Sequence, residues 1–436
     1  MKPLRILLLS EQNNPDWVSV PLVGYHHSAA LAQMHQVTLV THVENAAAVA
    51  RKNVPFAAII PCSLGTGDRI FAWGVKHIFK YDYGSQALTA FRLPFYWAFE
   101  WKVWKMLRSR IEAGDFDVVL RVTPVAPVLP SVMAWCLRRS KVPFVIGPIN
   151  GGLPWPKGFE QATRQREWIS SLRFLYRLLP FARATYRNAQ AIIVGSSQTY
   201  TEYKSYAHKL FFIPENGIRE DMIRERPTRP AQKKLEFLFV GRLVPFKACD
   251  LALKGAAPLL KVGRAQFKVV GEGPERARLE ALCQELGIKD AVSFTGVLPH
   301  AEAIQAIAGA DVLVFPSVRE FGGGVVFEAL ACGTVPIVSD YGGPGDIVHD
   351  EIGYKVPLSD EASSVARISE ILQTLDKNRQ KLEELSKAGQ AFARLRLSWE
   401  GKAQQTTAVL RWCLHQGHRP AFLPPSVRVS SLGKSA

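Results

Sequence analysis

The chain is poor in several things that would place it at once. It has six cysteines in 436 residues (Cys62, Cys136, Cys249, Cys283, Cys332 and Cys413), with no C-x-x-C pair among them. That scatter argues against a metal cluster or a disulfide framework and for a reducing cytosol. No apolar run reaches the ~18 residues that a membrane-spanning helix needs. The opening run Arg5-Ile6-Leu7-Leu8-Leu9-Ser10 is too short for the core of a signal peptide and reads as a first buried strand. No zinc-finger, RNA-binding or helix-turn-helix signature is present, so nucleic acid is not an expected partner. Gly271-Glu272-Gly273-Pro274-Glu275-Arg276 lacks the third glycine of G-x-G-x-x-G, which argues against a nicotinamide dehydrogenase. Acid is also scarce. Asp and Glu number 38 against 54 Lys and Arg, a net charge of +16. Such a balance favours anionic partners, either phosphorylated ligands or an anionic membrane face; a basic surface that only aids solubility is the plainer alternative.

What is present is ordinary globular material in quantity. Hydrophobic residues make up 47% and charged residues 21%, and the length exceeds one typical core, so two domains are expected. Short apolar runs alternate with helical stretches, the pattern of βαβ units. Strands are expected near Ile6–Leu9, Val37–Val40, Ala57–Ile60, Val118–Arg121, Val142–Ile146 and Ala191–Val194. A break follows at Phe211–Gly217, where Pro214-Glu215-Asn216-Gly217 is a strong turn signal. Arg224–Lys234, with two prolines, reads as a linker. A second set begins at Leu235–Val240 and continues through Phe267–Val270, Val292–Phe294, Val312–Phe315 and Pro336–Val338. The expected fold class is α/β, with two Rossmann-like, doubly wound parallel-sheet domains (1–212 and 213–398) facing a central cleft. The final helix, about 399–416, is expected to pack back on the first domain, with Trp399 as an anchor at a hinge. Residues 417–436 read as a disordered tail.

Two segments mix aromatic and basic residues. Arg69 to Arg110 holds Phe71, Trp73, Lys76, Phe79, Lys80, Tyr81, Phe95, Tyr96, Trp97, Phe99, Trp101, Trp104, Lys105 and Arg108. Glu167 to Arg187 carries Trp168, Leu172, Leu175 and Leu179 with four arginines. Either could lie at a membrane interface, where aromatics and cations anchor together, or form domain core with solvated charges. The aromatic density of the first exceeds what one helix face needs, which favours an acceptor- or membrane-facing role there. Domain core is the preferred reading of the second.

The chemistry is concentrated in the second half. Glu320-Phe321-Gly322-Gly323-Gly324-Val325-Val326-Phe327-Glu328 lies between two apolar runs, in the order strand, loop, short helix, strand. Parallel sheets place ligands in such loops. The glycines let backbone N–H groups approach an anion at a helix N-terminus. A carboxylate on each side of a diphosphate cradle suits a nucleotide-sugar, one acid for sugar hydroxyls and the other for the ribose. About 80 residues earlier, Gly241-Arg242-Leu243-Val244-Pro245-Phe246-Lys247 follows another strand. Two cations in that loop can neutralise a diphosphate leaving group.

With these motifs in order, residues 214 to 358 resemble the retaining family 4 (group 1) glycosyltransferases of the GT-B fold. The resemblance rests on Asn216-Gly217, Gly241-Arg242 with Lys247, Val270-Gly271-Glu272-Gly273-Pro274, Phe294-Thr295-Gly296, Ala310-Asp311 with Pro316-Ser317, and the paired glutamates. It implies that Arg242 and Lys247 bind the donor diphosphate and that Glu320 meets the transferred sugar. It implies that Phe321, Gly322, Gly323 and Gly324 present N–H groups, that Glu328 holds the ribose, and that the backbone around Val297 meets the base. Glu320, Arg242 and Lys247 are then the catalytic set. Transfer would proceed with retention, the leaving phosphate taking the acceptor's proton, with no side-chain nucleophile, no tightly bound cofactor and no essential metal.

The first half resembles the family less. Gly24, in Val23-Gly24-Tyr25-His26, stands where many members have two glycines near the donor phosphate. Where many place a histidine beyond the fourth strand, this chain has Arg121-Val122-Thr123-Pro124. Arg121 or Thr123 replaces it, or the contact comes from elsewhere. Asn150 and Gly151, in Gly147-Pro148-Ile149-Asn150-Gly151-Gly152, are expected to line the acceptor side or to form a simple turn. Asp115-Phe116-Asp117 spells D-x-D, but its position before a strand argues for a structural turn rather than a metal site. His26-His27 has no third ligand at suitable spacing. The expectation is a cytoplasmic hexosyltransferase, peripheral to the membrane if attached at all, working on a glycan or lipid-linked acceptor in polysaccharide or glycolipid synthesis. A nucleotide-sugar epimerase of the same fold and a noncatalytic binding protein are the rivals.

Overall fold

Apolar runs without polar interruption become strands buried on both faces, and helices must then cover both faces of the sheet. In the computed structural model this occurs twice. The structure describes residues 2–79, 86–151, 153, 178–223, 234–320 and 322–424. The chain divides into two units. The first holds the described residues of Met1–Gly151 and Arg166–Glu215 together with Lys402–Pro424; the second holds Leu153 and the described residues of Asn216–Gly401.

The first unit has seven strands: β1 (Arg5–Ser10), β2 (Gln36–His42), β3 (Ala58–Cys62), β4 (Val118–Thr123), β5 (Phe144–Ile149), β6 (Ala191–Val194) and β7 (Leu210–Phe212). They lie in the order β3-β2-β1-β4-β5-β6-β7, every pair parallel. Strand β4 is buried along its whole length. The second unit has six: β8 (Leu235–Val240), β9 (Ala265–Val270), β10 (Val292–Gly296), β11 (Val312–Phe315), β12 (Val335–Ser339) and β13 (Tyr354–Val356). Their order is β10-β9-β8-β11-β12-β13, again parallel throughout. In each sheet the direction of winding reverses once, between β1 and β4 and between β8 and β11. Both are Rossmann-like folds, and ligands of such sheets bind at the carboxyl ends of the strands beside the reversal.

Two strands differ from the sequence reading. The stretch that reads as a break from Phe211 contains β7, which ends at Phe212 just before the Pro214–Gly217 turn. Strand β13 has no counterpart in that reading. Each has three residues and sits at a sheet edge, too short to carry a periodic signal. The linker expected at Arg224–Lys234 lies, but for Lys234, outside the described residues, as does most of the Glu167–Arg187 segment.

The helix Trp399–Cys413 serves both units in turn. Trp399 belongs to the second, where its N–H bonds the Ile218 carbonyl at 3.0 Å. From Lys402 onward it is part of the first unit: Ala403, Val409 and Leu410 join Ile6, Leu8, Leu31, Leu120 and Val122 in one buried cluster. His27 Nε2 and His35 Nε2 meet the hydroxyls of Thr406 and Thr407 at 3.0 and 2.8 Å. The segment that reads as a disordered tail is placed as far as Pro424. Phe212 N–H donates to the Phe422 carbonyl at 2.8 Å, and Arg419 donates to the Ala207 and Leu210 carbonyls. Its last residues lie outside those described. Among the described residues no helix is long and apolar enough to cross a membrane.

Candidate functional site

The second unit gathers its chemistry at the reversal of its sheet. The loop after β8 tightens into a single turn, Pro245–Lys247, and the loop after β11 is tied to it: Val318 N–H donates to the Phe246 carbonyl at 2.8 Å. This brings Lys247 Nζ into a direct ion pair with Glu320 Oε2, both side chains largely covered at 13% and 19% exposure. The ammonium also lies 5.0 Å from the centre of the Phe315 ring. A cation between a carboxylate and an aromatic face at a strand end is held in place rather than left in solvent.

Glu320 is fixed at its backbone as well, its carbonyl accepting from Gly343 N–H at 3.0 Å. Gly322 follows in the loop, and Gly323 adopts φ +57 to turn the chain into the helix Gly324–Ala331. A side chain there would strain the backbone and press on Pro344, 2.8 Å from the position a Cβ would take. At this helix start Gly323 N–H donates to Glu320 Oε1 at 3.4 Å and Val326 N–H to the Gly323 carbonyl at 2.8 Å. Phe321 lies outside the described residues.

Glu328 sits one turn into that helix and points to the helix His300–Gly309, where His300 Nε2 lies 3.1 Å from its Oε1. Burial raises the Glu328 carboxyl above its ordinary range, and His300 opposes that rise. On the other side of the reversal, Gly241 N–H bonds the Val270 carbonyl and Gly271 N–H the Gly296 carbonyl, which brings the ends of β8, β9 and β10 together. Val297 stands exposed beyond them, at 76%. Arg242 is exposed, its guanidinium 5.9 Å from the centre of the Phe246 ring. Arg242, Lys247, Glu320, Gly322, Gly323, Gly324, Glu328 and Val297 are thus all loop or helix-start residues at the carboxyl ends of one sheet. His300 is absent from the sequence reading. Its signal is available: it follows Pro299, three residues after Val297, at the start of a helix.

The first-unit candidates sit differently. Gly24, on the helix Val20–Ala32, lets that helix close on the end of β1; a Cβ would collide with the Gln12 carbonyl oxygen and come 2.8 Å from Ser10 Oγ. Thr123 is fully buried, its hydroxyl bonded to Ser10 Oγ at 3.0 Å and to Gln12 N–H at 3.2 Å. Arg121 is buried too, donating to the Leu129 and Pro124 carbonyls at 2.9 and 2.8 Å, with its guanidinium 5.4 Å from the Tyr96 ring centre. Both polar heads bond inside the unit, save Arg121 Nε, which is buried without a partner among the described residues; this geometry favours the third alternative, a contact that comes from elsewhere. Asn150 is also engaged: its amide donates to Glu215 Oε1 at 2.7 Å and accepts from Ser196 Oγ at 2.8 Å. Gly151 N–H bonds Thr199 Oγ1 at 2.9 Å. The turn reading suits this pair. Asp117 of the D-x-D pairs with Arg5, and Asp115 with Arg110.

The comparisons with known proteins bear on the second unit first. Residues 221–391 match the family model for glycosyl transferases group 1. That match covers most of the second unit. A 2-deoxystreptamine glucosyltransferase of Streptomyces kanamyceticus is 41% identical over 111 residues, 25% of this chain and 29% of that protein. A D-inositol 3-phosphate glycosyltransferase of Thermomonospora curvata is 34% identical over 212 residues, 45% of this chain and 48% of its own length. These two matches span less than half of the curated relatives. A GDP-mannose-dependent monoacylated alpha-(1-6)-phosphatidylinositol monomannoside mannosyltransferase of Corynebacterium glutamicum is 28% identical over 263 residues, 54% of this chain and 67% of that one. Among solved structures, Anabaena HepE in complex with UDP aligns over 94% of this chain and all of its own, with a TM-score of 0.59 at 17% identity. At that identity the likeness concerns fold alone, the two-Rossmann GT-B architecture. Arg242, Lys247, Glu320, Gly322, Gly323 and Gly324 lie at the reversal point of the unit that the family model matches, and Val297 follows its edge strand.

Proposed function

We propose that this protein moves a hexosyl group from a nucleotide-diphosphate sugar to an acceptor hydroxyl, with retention of anomeric configuration. The observation that carries the reading is the Lys247–Glu320 pair at the mouth of the Gly323–Gly324 turn, with Glu328 one helical turn beyond. Arg242 and Lys247 supply positive charge where the diphosphate departs, so charge neutralisation is met by side chains and no metal is required by the scheme. Lys247 exchanges part of its contact with Glu320 for a phosphate oxygen. The Glu320 carboxylate, so released, accepts from sugar hydroxyls. Glu328 accepts from the ribose hydroxyls, and the backbone around Val297 meets the base. The acceptor hydroxyl attacks on the face that the diphosphate leaves: the C–O bond to the acceptor forms as the bond to phosphate breaks, and the proton passes to the departing phosphate oxygen. A glycan or lipid-linked acceptor on the cytoplasmic face is the proposed second substrate. The UDP of the HepE complex and the GDP-mannose of the mannosyltransferase's name support a nucleoside diphosphate donor while differing in base.

A thermal-shift panel of UDP, GDP and ADP with their common sugars, on wild type and Glu328→Ala, tests the donor site. One nucleotide should stabilise the wild type and not the variant. Transfer of labelled sugar from that donor then tests the reaction. Conversion of the donor without acceptor would replace the reading with an epimerase; binding with no turnover across acceptors would replace it with a binding protein.

A further inference from the structure

The aromatic and basic segment of the first unit separates into two populations. Phe71 of the helix Thr66–His77 stacks on Phe91 of the helix Gln86–Glu112 at 5.8 Å and tilts against Phe95 at 5.3 Å, and Phe79 packs on Phe91 at 5.3 Å. These phenylalanines are the seam between the two helices and explain part of the aromatic density without any ligand. Trp97 is likewise turned inward, its indole N–H donating to the Pro130 carbonyl at 3.0 Å and its ring edge-on to Phe181, and Trp135 touches Phe181 with one edge; four tryptophans nevertheless keep exposed surface. Trp73, Trp101 and Trp135 are exposed at 58%, 42% and 38%, and Trp104 is half-buried.

Each of these four has a basic side chain one turn further along, against its ring. The His77 ring centre is 5.5 Å from that of Trp73. Lys105 Nζ is 5.7 Å from the Trp101 ring centre, and the guanidinium of Arg108 is 5.8 Å from that of Trp104. The Arg138 guanidinium is 4.0 Å from the Trp135 ring centre. Of the acids of these elements, Glu112 alone meets one of these cations at the surface, and two others are turned inward. Glu100 is buried and bonded to Ser131 and Met133 N–H. Asp68 accepts from Ser63 and Leu64 N–H and pairs with His42. Glu112 is paired with Arg108. Arg69, Lys76, Lys102, Lys105 and Arg138 remain exposed beside exposed Ile70, Ile78 and Met106.

We infer that the stripe Trp101, Trp104, Lys105 and Arg108, at i, i+3, i+4 and i+7 of the helix Gln86–Glu112, docks on an anionic lipid surface, with the exposed Trp73 and Trp135 pairs of the neighbouring helices as further anchors. An indole sits at the boundary of headgroup and acyl chain, and a cation within one turn reaches the phosphate layer above it. Clustered cations in excess over the acids beside them select anionic over neutral lipid. The inference rests on the first unit alone and survives or fails independently of the donor reading.

Vesicle flotation of the full chain tests it, with phosphatidylcholine alone and with phosphatidylcholine containing phosphatidylglycerol. The wild type should float with the anionic vesicles at low salt, remain behind with the neutral ones, and lose binding as salt rises. Trp101→Ala with Trp135→Ala, and separately Lys105→Glu with Arg138→Glu, should each weaken binding about tenfold or more. Both double variants should keep the wild-type melting temperature within a few degrees and the same nucleotide-induced shift, which separates loss of docking from loss of fold or donor site. In the wild type, lipids brominated on the acyl chain should quench tryptophan fluorescence. Failure to float with anionic vesicles at low salt would overturn the inference. So would equal binding to neutral vesicles, binding unchanged in both double variants, or retention on heparin without vesicle binding, which would make the face a polyanion site.

Discussion

The two units have the same sheet logic and use it in opposite ways. In the second, the strand ends beside the reversal leave Arg242 exposed and set Lys247 against Glu320 near a helix start. In the first, the corresponding place is closed. Ser10, Gln12 and Thr123 bond one another, Gly24 lets a helix press onto them, and Arg121 is wrapped by carbonyls and an aromatic ring. A reversal point offers a location, and the residues that fill it decide whether charge faces a ligand or the protein's own backbone.

The comparison breaks if exchanging its key residues has similar consequences in both units. Lys247→Ala and Glu320→Ala should each lower the transfer rate by about a hundredfold or more while leaving the thermal midpoint near that of wild type. Turnover close to normal in either would remove the site. Arg121→Leu should do the reverse, costing about 3–5 kcal/mol of stability because buried partners lose a charged donor. Chemical denaturation measures that loss, and nucleotide binding by the second unit should persist in conditions where the variant is folded. Gly24→Ala should cost about 1–3 kcal/mol through overpacking on Gln12 and Ser10, also read by denaturation.

A smaller effect concerns pH. Burial holds His27 neutral, with its pKa pushed down to about 3, and the nearby Lys402 charge adds to the shift. The unfolded chain binds a proton at His27 below its ordinary 6.5, and the folded chain does not, so stability falls as pH drops from 6.5 to about 3. His27→Gln should flatten part of that fall in a series of thermal midpoints. Lys402, buried with its Nζ donating to the Pro214 carbonyl, is lowered to about 7 by burial, against an opposing pull from Glu215. Its native pKa lies below that of the unfolded chain, so its contribution should rise with pH between about 7 and 10.5. Lys402→Met should remove that slope. Smallest of all, His300→Ala should alter nucleotide affinity by a few-fold, because Glu328 loses one partner but keeps its helix.

Much of this was legible in the residues. The long strands of both sheets are unbroken apolar runs, which is what burial on two faces demands. The positions of the second-unit loops could be found because glycine turns and charged residues directly after apolar runs mark the carboxyl ends of parallel strands; the roles assigned to them come from the family resemblance. The first-unit candidates could not be assigned from sequence. Arg121 and Thr123 end a strand where a ligand contact is plausible, and nothing in the local pattern reveals that Leu129, Pro124, Ser10 and Gln12 take up their polar atoms. Strands β7 and β13 are too short to announce themselves. The aromatic segment was visible as composition only, since the division into a phenylalanine seam and outward tryptophans depends on which helix faces which.

The helix that begins at Trp399 also sets an order of assembly during synthesis. The first unit is started by residues made before Asn216–Gly401, yet its core includes Ala403, Val409 and Leu410, and its His27 and His35 wait for Thr406 and Thr407. Asn216–Gly401, in contrast, leaves the ribosome as one continuous block before those residues do. Of the two units, the one begun first is therefore completed last, and a chain halted before Lys402 lacks the helix residues that share a buried cluster with Ile6 and Leu8 of β1 and Leu120 and Val122 of β4.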